Sequence, residues 1–331
     1  MNAIEVSHLS KAFGEFLAVK DVSFSIPRGE LFGLLGPNGA GKTTTLSILS
    51  TILSASKGDA RIEGFDVSRD HAKVRSRIGI VFQDPSLDFD LTARENLDFH
   101  ARLYGVPRPE RAERIAGVLS LVELSDKANW LVKTFSGGMR RRLEIARGLL
   151  HHPSVLFLDE PTLGLDPQTR RRLWQYIKRL NKEERVTIIL TTHYLEEADF
   201  LCDRIAVMDH GQIVALDSPA NLKKGLKTQT LRVNSSDNEK LAGFSSQKIK
   251  KSRTVVSPEG VEFFVEGAEK VLAELFSFAD RKKIVISEAS IHSPTLEDVF
   301  VDLTGHSIRD EPASMSEQAR NSMQYRGFVR R

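Results

Sequence analysis

Short, nearly unbroken apolar runs punctuate the first two thirds of this chain. Residues 31–35, 78–82, 155–158, 186–191 and 205–208 read as strands buried on both faces, and helix-compatible stretches alternate with them to about residue 218. That alternation predicts an α/β fold with a mostly parallel sheet. Near the start, residues 4–6 and 22–26 look like strands of an antiparallel edge sheet. Residues 84–150 lack strong β runs and read as a helical subdomain inserted in the sheet.

The composition shifts near Ser218-Pro219, where polar residues begin to dominate. Beyond it the pattern predicts a small α+β unit, with strands at residues 230–233 and 254–256, a turn at Pro258-Glu259-Gly260 and a further strand at 261–265. A helix at 268–279, a strand at 284–286 and a helix at 294–303 complete it, with Pro294 suited to a first helical turn and Gly305 to a helix end. The expected division is therefore residues 1–220, 221–305 and a tail at 306–331 that shows no periodicity.

Composition narrows the functional classes. Apolar runs such as Val155-Leu156-Phe157-Leu158 fall far short of the ~20 residues that span a bilayer, and no secretory signal is recognisable at the N-terminus. Work at a membrane would thus require a partner. With 47 basic and 44 acidic residues the net charge is only +3, too even to suggest a nucleic-acid surface. The single cysteine, Cys202, has no disulfide or metal partner of suitable spacing and reads as a packing residue in a reducing compartment.

Two motifs carry chemistry. Gly36-Pro37-Asn38-Gly39-Ala40-Gly41-Lys42-Thr43 follows an apolar strand and precedes a helical run, the context required of a phosphate-binding loop. Its glycines let backbone N–H groups converge on phosphate oxygens, Lys42 supplies a point charge and the Thr43 hydroxyl can ligate Mg²⁺. Thr44 continues into the helix, whose N-terminal dipole favours an anion. The second motif is a buried strand ending in Asp159-Glu160. Successive side chains diverge, so the two carboxylates serve different ends: Asp159 can hold Mg²⁺ and Glu160 can reach an attacking water.

Phe135-Ser136-Gly137-Gly138-Met139 and the helical stretch after it resemble the signature of ABC ATPases, with Phe135 and Met139 where Leu and Gln are usual. Other elements fall in the same order. Gln83 resembles the glutamine that binds Mg²⁺ and senses the membrane partner, Leu165-Asp166 the D-loop, and His193 the switch histidine on the γ-phosphate. Phe13 resembles the aromatic that stacks on adenine, although a core position is the alternative. The resemblance implies an ATP-binding homodimer in which Ser136 and Gly138 of one subunit close over the nucleotide of the other. Arg140–Arg142 and Arg170–Arg172 read as solvated helix faces, and His151-His152 as a helix end.

Over residues 3–305 the chain resembles ATP-binding subunits of type 2 ABC exporters of the daunorubicin-resistance-like group, including the stretches 86–97 and 294–304. That resemblance implies an ATPase at the cytoplasmic face of the membrane, held there by an integral permease that moves a drug-like, lipidic or other substrate. The competing reading is a soluble ABC ATPase acting on a ribosome or DNA, which would usually carry two cassettes or a coiled-coil insertion.

Overall fold

The computed structural model describes residues 1–84, 86–226, 229–248, 253–257 and 260–305. It divides into one compact unit ending at Pro219 and a second beginning at Ala220. The first unit opens with β1 (Asn2–Phe13), β2 (Phe16–Pro27), β3 (Leu31–Leu35), α1 (Lys42–Leu49), β4 (Lys57–Ile62), β5 (Phe65–Asp66) and α2 (His71–Arg75). Next come β6 (Ile78–Val81), α3 (Ala93–Leu103), α4 (Arg108–Leu121), α5 (Gly137–Leu149) and β7 (Val155–Asp159). It closes with α6 (Pro167–Glu184), β8 (Thr187–Thr192), α7 (Leu195–Leu201), β9 (Arg204–Asp209) and β10 (Gln212–Asp217), and α8 (Pro219–Gly225) stands at the division.

Six strands form the central sheet in the order β10-β9-β3-β8-β7-β6, parallel throughout except for the β9–β10 hairpin. Every residue of β3, β7 and β8 is buried, as their unbroken apolar character requires of strands covered on both faces. A second, antiparallel sheet, β2-β1-β4-β5, alternates buried and exposed positions. Ile4, Ile26 and Ile62 from that sheet share one core with Phe32, Phe157 and Met208 of the larger one. Cys202 is buried against Gly33, where an added Cβ would stand 2.7 Å from its sulfur.

Strand ends differ slightly from the expected ones. β6 stops at Val81, and Phe82 turns out of the sheet with its carbonyl accepting a guanidinium hydrogen bond from Arg141. β8 runs one residue further than its apolar pattern, so that Thr192 pairs with Leu35. Strands β4 and β5 carry charged or mixed patterns that give no clear apolar signal, whereas β10 has a short apolar run, Ile213-Val214-Ala215-Leu216, and pairs antiparallel with β9.

The second unit contains β11 (Gln229–Ser235), α9 (Asn238–Lys248), β12 (Arg253–Ser257), β13 (Gly260–Val265), α10 (Ala268–Arg281), β14 (Ile286–His292) and α11 (Leu296–Thr304). Its antiparallel sheet, β12-β13-β11-β14, builds a core of Leu231, Val233, Val261 and Phe263 with Leu241 and Phe244 of α9 and Leu275 and Phe278 of α10. The stretch 235–240, polar in sequence, leads into α9. The strand expected at 284–286 lies further on: Ile284 is buried, Val285 is exposed, and pairing with β11 runs from Ile286. Pro294 precedes the last helix, which is capped by Thr295 and Asp298 in a reciprocal capping box, while Gly305 ends it at φ 80°. Pro258, Glu259 and residues 306–331 lie outside the described residues.

α5 approaches β6 closely. A Cβ on Gly79 would stand 2.1 Å from the Gly148 carbonyl oxygen, so the helix backbone rests almost directly on the strand. Gly79→Ala is expected to destabilise the protein by about 1–3 kcal/mol, because the intruding methyl meets backbone rather than a movable side chain. Urea unfolding followed by circular dichroism measures the loss.

Candidate nucleotide site

Neighbouring parallel strands deliver the motif residues to one edge. β8 lies between β3 and β7, with Leu35 opposite Thr192 and Asp159 opposite Thr191. The phosphate-binding loop therefore starts beside Thr192, whose carbonyl accepts from Gly36 N at 3.4 Å, and His193 follows directly. This is the carboxyl end of an open α/β sheet, where ligands bind.

Two loop glycines have separate reasons to be glycine. A Cβ on Gly36 would stand 2.3 Å from the Met208 carbonyl oxygen, and Gly41 precedes α1 at φ 97°. Pro37 and Ala40 are buried, whereas Asn38 and Gly39 are exposed. Lys42 begins α1 and is buried, Thr43 is exposed and Thr44 is partly buried.

The Lys42 ammonium is held by oxygens. Nζ donates to Gly36 O at 2.6 Å and to Pro37 O at 3.0 Å, and it lies 3.7 Å from Glu160 Oε1. Burial pushes its pKa down, while Glu160 and Asp159 pull it back up. Glu160 Oε2 is 2.6 Å from His193 Nδ1, a close approach without hydrogen-bond alignment. One buried carboxylate thus lies between the lysine and the histidine.

Asp159 faces a different set of groups. Its Oδ1 accepts from Thr191 Oγ1 at 2.5 Å and from Thr43 Oγ1 at 3.2 Å. Burial raises its carboxyl above the ordinary range, and the two hydroxyl donors oppose that shift. The hydroxyl and carboxylate of Thr43 and Asp159 are an all-oxygen pair that fits Mg²⁺, a hard cation that keeps waters and takes phosphate oxygens. Among the described residues no group of three His, Cys, Asp or Glu could hold a metal unaided.

The remaining predicted residues lie outside this network. Gln83 is exposed on the loop after β6, the strand beside β7. Ser136 caps α5, its hydroxyl accepting from Met139 N at 3.3 Å, and Ser136 and Gly137 are exposed. Gly138 is buried, and a Cβ there would stand 2.4 Å from Thr169 Cγ2, so close packing on α6 accounts for this glycine. The Asp166 carboxylate caps α6 by accepting from Gln168 N and Thr169 N at 3.1 and 3.0 Å. Phe13 is partly buried at the end of β1, and Lys11 Nζ lies 5.1 Å from its ring centre.

Sequence reasoning missed two residues. Arg141, read as part of a solvated face, is buried, and its guanidinium donates to the carbonyls of Phe82, Asp159, Glu160 and Pro161 and to Glu144 Oε2. The one available signal was Glu144, placed one helical turn along. Thr191 donates to Asp159 and accepts from Glu160 N at 3.0 Å. Its place at the end of an apolar strand gave no sign of that.

Residues 19–163 match the ABC transporter family, and residues 218–304 match the C-terminal domain of DrrA1-3-like ATP-binding proteins. The linearmycin resistance ATP-binding protein LnrL of Bacillus subtilis (strain 168) is 38% identical over 93% of this chain and 100% of its own length. The daunorubicin/doxorubicin resistance ATP-binding protein DrrA of Streptomyces peucetius is also 38% identical, over 93% and 94% respectively. Among solved structures, cbiO1 of Clostridium perfringens, part of the ABC transporter complex cbiONQ, superposes with a TM-score of 0.63 at 28% identity, covering 75% of this chain and 96% of its own. A dimeric cassette, MJ0796 bound to ADP and Pi, gives 0.58 at 30% identity over 65% and 98%. A P-loop beside paired carboxylates at the end of a parallel sheet, in a chain similar to the two resistance proteins over 93% of its length, makes this protein a member of the ABC transporter ATP-binding subunits, of the drug-resistance exporter group.

Proposed function

We propose that the chain hydrolyses ATP at this edge as one half of a head-to-tail homodimer, and that the cycle drives an integral permease. The observation that carries the site assignment is the Glu160 carboxylate lying between Lys42 and His193. In this reading the triphosphate enters the loop Gly36–Thr43, and its oxygens replace the Gly36 and Pro37 carbonyls around the Lys42 ammonium. Backbone N–H groups of the loop and the start of α1 cradle the β-phosphate. Phe13 offers a ring face to the adenine.

Glu160, released from Lys42, accepts a proton from the water that attacks the γ-phosphorus in line, and the bond to the leaving ADP oxygen breaks. His193 moves from the carboxylate to a γ-phosphate oxygen. Ser136 and the helix start at Gly137-Gly138 of the other copy close the site, and Asp166 borders the dimer seam. Thr43, Asp159 and Gln83 would hold Mg²⁺, which neutralises phosphate charge when bound. Hydrolysis removes the contact that joins the copies, so reopening follows chemistry.

No helix among the described residues is long and apolar enough to cross a membrane; in this reading the transport path lies in a separate permease. The names of the relatives, resistance proteins for linearmycin and daunorubicin, favour a drug-like or lipidic substrate, with the ATPase docked at the cytoplasmic face.

Glu160→Gln is expected to cut turnover by about 100-fold or more while ATP binding persists, since the amide cannot take the proton. Phosphate release and nucleotide titration read the two quantities, and wild-type turnover would refute the assignment. Asp159→Asn is expected to raise the stability of the nucleotide-free protein by about 1 kcal/mol, because it removes a carboxylate that burial disfavours. The same variant should lose the extra stabilisation that magnesium adds to bound ATP, and thermal unfolding with and without Mg·ATP measures both effects. The sign for wild type follows: Asp159, with its pKa raised in the fold, favours folding below its unfolded pKa and loses that contribution as pH rises through its folded one.

A further inference from the structure

Glu160 is held in a backbone conformation that side chains rarely adopt, with φ 48° in the left-handed region. Two residues hold it from opposite ends. On one side the Glu160 N–H donates to Thr191, both to its carbonyl at 3.2 Å and to its Oγ1 at 3.0 Å. On the other side Arg141 Nη2 donates to the Glu160 carbonyl at 3.2 Å and to the Asp159 carbonyl at 2.8 Å, while Nε donates to the Pro161 carbonyl at 2.9 Å.

The same guanidinium reaches a second segment. Its Nη1 donates to the Phe82 carbonyl at 2.5 Å, immediately before Gln83, and to Glu144 Oε2 at 2.8 Å. Glu144 in turn accepts from Ser86 N at 3.0 Å through Oε1, and Arg147 donates to the Ser86 carbonyl at 3.3 Å. Arg141, Glu144 and Arg147 are all buried and follow one another at three-residue steps along α5. They therefore grip both flanks of the Gln83 loop and the peptide of Glu160.

A planar, always-charged fork with five donors suits a site where several carbonyl oxygens converge, and an ammonium could not satisfy them in the same directions. We propose that Arg141 is a positioning residue for hydrolysis: it joins the strained Glu160 peptide to the Phe82 carbonyl, so that the base is aimed only while the Gln83 loop is seated on α5. The proposal rests on Glu160 acting as the base. It adds that the aim of the base and the seating of that loop are one conformational variable, set by a residue whose guanidinium is engaged by backbone carbonyls and Glu144.

The test compares Arg141→Lys and Arg141→Met with wild type in steady-state ATPase assays and in binding of a non-hydrolysable ATP analogue. The expected result is a fall in kcat of about tenfold or more, with KM and analogue affinity within about twofold, because only the aim of the base is lost. Combining Arg141→Lys with Glu160→Gln should lower the residual turnover no further than Glu160→Gln alone, since with the base removed its positioning has no effect. Glu144→Gln, which keeps an acceptor for Ser86 N but weakens the hold on Arg141, should lower kcat by a smaller factor of about three. Wild-type kcat in the Arg141 variants, a parallel loss of analogue affinity, or additive loss in the double variant overturns the proposal. If the Arg141 variants do not fold, Glu144→Gln decides, and wild-type kcat there overturns it. Normal turnover of Glu160→Gln by itself would instead overturn the assignment of the base.

Discussion

A cation buried at the end of a parallel sheet is the constraint around which this site is arranged. The Lys42 ammonium is almost wholly removed from water, and the fold must surround it with oxygen. Two loop carbonyls and the Glu160 carboxylate do so. The arrangement is provisional, because Asp159 and Glu160 place two carboxylates around one lysine, and burial disfavours the charge on Asp159. In the proposed cycle a polyanion and a divalent cation would rebalance both, with phosphate oxygens around the lysine and Asp159 among the groups that would hold the metal.

Topology makes that network possible. β3, β8 and β7 are neighbours and fully buried, so their carboxyl ends fall side by side, carrying the P-loop, His193 and the Asp-Glu pair. Gly79 lets α5 settle on β6, and from there Arg141 reaches the peptide that follows β7. The same helix begins at Ser136, the residue assigned to the nucleotide of the other copy. In a head-to-tail dimer one helix would then border both sites, its exposed N-terminus facing one and its buried arginine supporting the other.

The parts of the site built on local pattern were legible in the sequence. An apolar run followed by glycines and Lys42-Thr43 identifies a phosphate loop because strand, turn and helix each leave a signature there. Asp159-Glu160 closing a buried run is informative for the same reason. Long-range contacts were not legible. Nothing in Arg140-Arg141-Arg142 separates the buried middle residue from its neighbours, since burial follows from carbonyls that four other residues bring to it. Thr191 looks like one more strand residue until its hydroxyl is seen between Asp159 and Glu160. In the second unit α9 was hidden because its core residues, Leu241 and Phe244, are few among polar neighbours, and the strand expected at 284–286 falls instead on β14, none of whose residues is fully buried.

The central claim is that each hydrolytic site is shared, with Glu160 from one copy and Ser136 from the other. Complementation tests it directly: Glu160→Gln and Ser136→Arg chains, each inactive alone, are mixed before nucleotide is added. Random pairing gives mixed dimers with one intact site, so the mixture should recover about a quarter of wild-type turnover. A mixture that stays as inactive as its components, although mixed dimers form, would contradict the account.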